Sequence, residues 1–234
     1  MTQKEGLIIW LNGCSSVGKG MIIQNLIPLL KPSRNFFHIG IDHFLPMFPS
    51  DLVGLPQSSS VPTWWRDSKT SPGECEGIYW IRCAEDPPVF QIRVGSEGKK
   101  FFRGYFGAIS ALAKEGNNII VDDVLFMELV SFRDEVLALH RVLFPRENLL
   151  MVRLSASLEV VEKRERERGD RVIGQARGHF SNCHVGVEYD LEFDVSEDGC
   201  SNRIAREISD AATKRWPAVK INLSKVPVSA LHVV

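Results

Sequence analysis

Eight residues near the N-terminus restrict this chain more than any others: Gly13, Cys14, Ser15, Ser16, Val17, Gly18, Lys19 and Gly20, a G-x-x-x-x-G-K pattern closed by glycine. Its flanks matter as much as its letters. Before it, Gly6 to Asn12 is a short apolar run without alternation, as expected of a strand covered on both faces in a parallel sheet. After it, Met21 to Leu30 is an apolar helical segment that must end near Pro32. A glycine turn between such elements lets consecutive backbone N–H groups curl around an anion. The positive end of the next helix points at the same place, and Lys19 reaches the outer phosphates. Gly13 through Met21 are therefore predicted to bind a nucleotide phosphate chain, rather than to form a plain Gly/Ser turn.

The rest of the chain continues the alternation. Phe36 to Ile41 reads as a second buried strand ending at Asp42. From about residue 46 to 100 the pattern loosens into prolines, serines and glycines. Within that stretch Ile78 to Cys83 and Val89 to Val94 predict a hairpin outside the main sheet. A helix from about Lys100 to Lys114 closes at Gly116, and Asn118 to Asp123 is strand-like. Then come a helix near Met127 to Leu143, a strand Asn148 to Leu154 and a helix Ser157 to Arg168 capped by Ser155 or Ser157. Gly169 to Gly178 reads as a basic loop, Tyr189 to Val195 as a strand, Ser201 to Arg215 as a helix and Val219 to Leu223 as a last strand. Strands alternating with helices predict an α/β fold: a doubly wound parallel sheet with helices on both faces and sites at the carboxyl ends of its strands. At 234 residues this is one domain with an insertion at about 46–100.

Composition narrows the partners. Net charge is −1, so no basic excess marks nucleic acid or an anionic membrane as the main partner. No apolar stretch approaches the roughly 18 to 20 residues that span a bilayer. Five cysteines without a C-x-x-C spacing suit reduced cytoplasmic thiols better than zinc or disulfides. A soluble cytoplasmic protein is expected, with homo-oligomerisation left open.

Three further groups complete the chemistry. Asp122 and Asp123 end an apolar strand downstream of the glycine loop, where a carboxylate orients Mg²⁺; Asp122 holds the usual first position. Asp42 ends the second strand, facing the outer phosphate, and suits the carboxylate that takes a proton from an attacking hydroxyl, unless it merely caps the next segment. Arg164, Arg168 and Arg171 recur at spacings of four and three, with Gly169 breaking the helix between them. That pattern fits a lid at about 168–180 whose arginines neutralise a transferring phosphoryl group; the competing reading is a solvated charged helix. The residue after the lysine is usually Ser or Thr, whose hydroxyl binds Mg²⁺. Gly20 supplies none, so either metal is held through water and a remote carboxylate, or metal binding is weak.

Order and wording together resemble one family, the chloramphenicol phosphotransferase-like kinases. The matching strings are Leu11 to Lys19, Gly40-Ile41-Asp42, Ile119 to Val124, Arg164 to Val172, and His184 to Asp190 with Asp194. The resemblance implies a P-loop kinase fold and an ATP- and Mg²⁺-dependent O-phosphotransferase acting on a small-molecule hydroxyl. It also implies Asp42 as general base, with Lys19 and the lid arginines around the transferred phosphate. Gly20 and the long aromatic segment after Asp42 depart from the pattern. Phe44, Phe48, Trp64, Trp65, Tyr79, Trp80 and Phe90 either cover an acceptor pocket or form a small core of the insertion. Two alternatives remain. A nucleotide or nucleotide-sugar kinase, zeta-toxin-like, would draw on Arg66, Arg82, Arg93 or Arg103 for acceptor phosphates. A non-catalytic ATP-binding protein would present the aromatic insertion to a partner.

Overall fold

In a computed structural model, residues 5–54, 76–125 and 130–217 are described, with backbone alone at 81, 82, 84, 85, 130 and 131. Strand β1 (Ile8–Asn12) is wholly buried at the centre of a five-stranded sheet. It pairs in parallel with β6 (Asn118–Asp123) on one side and β7 (Leu149–Ser155) on the other, Ile8 lying opposite both Ile119 and Leu149. Beyond them β2 (Phe36–Gly40) and β8 (Leu191–Asp194) complete the order β2-β6-β1-β7-β8, every pair parallel. All five carboxyl ends thus meet one edge, as the alternation predicted.

The lack of hydrophobic alternation in β1 has a direct cause. Ile8 and Trp10 feed one core, with helix α3 (Ser96–Lys114) and helix α4 (Val130–Leu143). Ile9 and Leu11 feed the other, with helix α1 (Lys19–Leu30) and helix α7 (Ser201–Arg215). Helices therefore cover both faces.

The hairpin forms as expected. Strands β4 (Ile78–Glu85) and β5 (Pro88–Val94) are antiparallel, and β3 (Val53–Gly54) joins β4 to make a separate three-stranded sheet. Trp80 and Phe90 do not make a private core, however; they pack with Trp10, Phe102 and Tyr105 in the main one.

Several boundaries move. β2 is an edge strand with Phe37 57% exposed, not a strand buried on both faces; its apolar letters hide its place at the margin. A four-residue helix α2 (Ile41–Phe44) follows it directly. Helix α3 begins four residues early, at Ser96. Helix α5 (Leu158–Arg168) is capped by Ser157, whose hydroxyl oxygen accepts from the Val160 N–H at 3.3 Å. Helix α6 (Gln175–Phe180) begins within the stretch read as loop up to Gly178, and the strand expected at Tyr189 to Val195 is confined to 191–194, β8. The strand expected at Val219 to Leu223, the helix start at Met127, and Trp64, Trp65, Arg66 and Cys75 lie outside the described residues. Among those described, no helix is long and apolar enough to cross a membrane.

Candidate active site

A cleft of about 490 Å³ opens at the carboxyl edge of the sheet. Its floor is the loop between β1 and α1. Gly13 is required by close approach, since a Cβ there would meet the Leu154 carbonyl oxygen at 2.5 Å; Gly18 has φ 111°, which disfavours any side chain. Ser15, Ser16, Gly18, Lys19, Gly20 and Met21 line the cleft. Cys14 and Val17 turn their side chains into the core beneath, so with Gly13 they can act on a ligand through backbone alone. Burial pushes the Cys14 thiol up to about 11 despite Lys19, leaving it unreactive.

Lys19 is 9% exposed. Its ammonium donates to the carbonyls of Gly13 at 2.8 Å and Cys14 at 3.1 Å, and lies 3.8 Å from Asp122. These contacts aim it across the loop. The two strand-end aspartates are set apart electrostatically. Burial works against the Asp122 carboxylate, but Lys19 and His38, whose Nε2 lies 3.9 Å away, outweigh it and hold the group below the usual range. At Asp123 burial wins: it raises the group to about 7 although the Val124 N–H and Lys19 both pull the other way.

Asp42 sits in the first turn of α2, but it is not the cap. Gly40 holds that position, and its N–H donates to His43 Nδ1 at 2.9 Å. The Asp42 carboxylate instead takes a 2.7 Å hydrogen bond from Arg171. Arg164 donates to the Val17 carbonyl at 3.1 Å, and Arg168 pairs with Asp170 at 2.7 Å. Arg164, Arg168 and Arg171 all line the cleft, so the structure brings together every charged residue singled out for the chemistry. The helix does not carry all three. It stops at Arg168, where Gly169 turns left-handed, and Arg171 arrives on the following loop. Arg177 pairs with Glu162 and takes no part in the lining.

Sequence reasoning missed the residue that holds this loop. Glu165 is 1% exposed, and its carboxylate accepts the N–H groups of Gly174 at 2.8 Å and Ala176 at 2.7 Å. In a run of alternating glutamates and arginines nothing in the sequence distinguishes it. Gln175 and His179, one turn apart on α6, also line the cleft, and neither carried a signal in the sequence. Burial, then Lys19 and Arg171, lower His179 to about 3, so it is neutral.

The string near residue 189 proves to be scaffold. Asn12, fully buried at the end of β1, donates to the Cys183 carbonyl at 2.7 Å and to the Tyr189 hydroxyl, and accepts from the Leu125 N–H at 2.8 Å. Tyr189 in turn meets His184 Nδ1 at 2.7 Å, and Asp190 accepts the Met151 N–H at 2.8 Å. These bonds tie the segment before β8 to the sheet beneath the phosphate loop.

Residues 6–213 match the family described as chloramphenicol phosphotransferase-like protein. Two Mycobacterium tuberculosis proteins, from strains H37Rv and CDC 1551 / Oshkosh, are assigned by name as O-phosphotransferases. Each is 30% identical over 207 residues, which cover 88% of this chain and 82% of theirs. Among solved structures, the M. tuberculosis APS kinase CysC with AMPPNP and APS aligns at TM-score 0.53 and 15% identity, covering 88% of this chain and 96% of that one. The Deinococcus radiodurans tunicamycin resistance protein aligns at 0.51 and 16%, covering 88% and 95%. A sugar kinase from Janibacter sp. HTCC2649 aligns at 0.52 and 13%, covering 92% and 96%. At such identities these structures establish the fold. The sequence match settles membership: the chain belongs to the chloramphenicol phosphotransferase-like protein family.

Proposed function

We propose that the protein transfers the γ-phosphate of ATP to a hydroxyl group of a small molecule. The observation that carries this reading is the convergence of Lys19, Arg164, Arg168, Arg171 and the Asp42 carboxylate on one cleft. Phosphoryl transfer asks for little else: cations around the transferring group and a carboxylate to align the nucleophile and take its proton. The triphosphate lies along Ser15 to Met21 with Lys19 at its outer end. The acceptor oxygen attacks the γ-phosphorus while the bond to the β–γ bridging oxygen breaks. Its proton passes to Asp42, and ADP leaves. Arg171 hydrogen-bonds to Asp42 and lies among the phosphate-facing cations, so it ties the base to the group being moved.

Mg²⁺ fits the residues present. Such an ion keeps several waters and takes one or two carboxylates plus phosphate oxygens, and Asp122 with Asp123 at the cleft floor supply those carboxylates. When bound it would neutralise charge on the outer phosphates. Residues 46–100 are assigned as acceptor cover and 168–180 as the lid. Ile78, Trp80 and Ile92 of the hairpin and Phe102 of α3 give the cleft an apolar wall across from the phosphate loop. Arg103, a candidate for acceptor phosphates, is engaged instead with Glu135.

The test is ATP consumption with Mg²⁺ and mass detection of product across chloramphenicol, aminoglycosides, nucleosides, nucleoside monophosphates and nucleotide sugars. A product heavier by one phosphoryl group is expected. ATP binding without product from any acceptor would favour the non-catalytic reading instead.

A further inference from the structure

Asp122 divides its two oxygens between different partners. Lys19 lies 3.8 Å from Oδ1, and His38 Nε2 lies 3.9 Å from Oδ2. The first contact belongs to the phosphate loop. The second has no part in the mechanism above, and at 3.9 Å it is too long for a hydrogen bond. Its length falls instead within the span of one metal ion. Two ligands each about 2.1 Å from an octahedral ion stand about 3 Å apart when adjacent and about 4.2 Å apart when opposite. Both side chains line the cleft, and the phosphate loop beside them has Gly20 where the metal-binding hydroxyl of Ser or Thr is usual.

Strand pairing brings the two groups together. β2 runs parallel to β6 with His38 opposite Ile120 and Gly40 opposite Asp122, so the imidazole starts two positions before the register partner of the carboxylate. His43 backs it. The His43 Nδ1 accepts the Gly40 N–H at 2.9 Å, and its ring meets that of His38 edge-on with centroids 5.2 Å apart. Turning the His38 ring over exchanges Nε2 with its bonded neighbour Cε1, so a nitrogen stays at the tip in either orientation. An imidazole nitrogen does little for Mg²⁺, which oxygen serves best, and more for the divalent ions of the first transition row. Among the described residues no three His, Cys, Asp or Glu side chains are grouped to hold a metal by themselves. Such an ion therefore needs the phosphate oxygens of the nucleotide to complete its shell.

We propose that His38 is a ligand of the divalent cation that accompanies the nucleotide: its ring nitrogen joins Asp122 on the ion, in place of the hydroxyl that Gly20 lacks, and tips the site toward a first-row transition ion over Mg²⁺. This rests on Asp122 serving the metal of the bound nucleotide, and it goes further in naming a second protein ligand and a metal preference.

The test reads coordination, so it does not depend on turnover. Pulsed electron paramagnetic resonance is recorded on Mn²⁺ and AMPPNP with the protein in excess, once with ordinary histidine and once with ¹⁵N-labelled histidine. A nitrogen coupling that changes with the label is expected, from one directly bound imidazole. It disappears in His38→Phe and persists in His43→Gln, where glutamine keeps an acceptor for the Gly40 N–H. The Mg²⁺ concentration that displaces half of the bound Mn²⁺ should also fall about tenfold in His38→Phe. His38→Asn serves the same purpose if the phenylalanine variant does not fold. Bound Mn²⁺ without histidine coupling overturns the inference and leaves the role of Asp122 standing. Coupling that survives in His38→Phe, or that vanishes in His43→Gln, overturns it as well, and so does an unchanged Mg²⁺ midpoint. Failure of the protein to bind Mn²⁺ with AMPPNP at all would overturn both assignments. Asp122→Asn tests its own assignment separately, since an unchanged Mn²⁺ affinity there would remove Asp122 from the metal whatever His38 does.

Discussion

A Cβ at Gly20 would meet nothing within 4 Å, so the missing Ser or Thr is no consequence of crowding. Gly20→Ser should fit without strain. Replacing glycine near the start of α1 should add roughly 0.5 kcal/mol through helix propensity. Its hydroxyl would stand where the metal ligand of related loops is usual, so the Mg²⁺ concentration for half-maximal activity should fall several-fold. A Mg²⁺ titration of both proteins reads this; an unchanged midpoint would mean that the ion does not pass near residue 20. Asp42→Asn keeps the shape but removes the proton acceptor. Turnover should drop by about 10² to 10⁴ with ATP affinity nearly intact. Loss of ATP affinity in that variant, by calorimetric titration, would argue that Asp42 serves the nucleotide. Lys19→Ala should lower the rate by about 10²-fold or more in a steady-state assay. These residues were legible in the sequence because each sits at a strand end or in a local motif whose chemistry is set by its immediate neighbours. Glu165 was not. Its partners Gly174 and Ala176 lie across a turn that the letters alone do not close.

Between elements, α6 and the hairpin meet through two glycines. A Cβ at Gly178 would stand 1.7 Å from the Phe90 carbonyl oxygen, and one at Gly174, with φ 98°, would stand 2.2 Å from that of Pro88. These glycines made the segment look like loop, since glycine within a helical pattern is a breaker signal. Their function is the opposite: they let a short helix lie directly on strand backbone. Tertiary contact overrode local preference, and such contact has no local signature. Gly178→Ala should therefore force α6 off β5 and destabilise the protein by about 1–3 kcal/mol. Urea unfolding measures it. A difference within error would mean that the hairpin yields to accommodate a methyl group. The hairpin strands were legible from their β-branched and aromatic runs. Their fusion with the main core was not, because Trp80 and Phe90 could equally have packed on each other.

Across the whole molecule, parallel architecture was legible because strands and helices alternate, but strand order was not. No residue of β2 says that it lies at the edge, and Phe37 reads as core until the sheet is assembled. Nor did the sequence disclose how many histidines the fold buries, and that number governs the response to acid. Burial is the first cause that lowers His140 to about 4, His179 to about 3 and His184 to about 4. Each ring binds a proton less readily folded than unfolded. Its contribution to stability is therefore complete above about pH 6.5 and is lost as pH falls toward the folded value. Asp123 opposes this, since a carboxyl raised to about 7 contributes stability that is lost as pH rises through that value. Glu165, which burial also raises, opposes it too, whereas Asp122, held low by Lys19, acts with the three rings. His140 isolates the effect, packed against Trp10, Phe106 and Phe144 and not among the cleft-lining residues. From 6.5 to about 4, its share is on the order of 3 kcal/mol. His140→Phe keeps an aromatic ring but carries no proton, so its unfolding free energy should fall less steeply between pH 6.5 and 4.5. The two slopes should differ by up to about 1.4 kcal/mol per pH unit, the linkage of one proton. Urea unfolding at pH 7.5, 6.0 and 5.0 compares them directly, and parallel lines would mean that His140 takes up its proton without leaving the core.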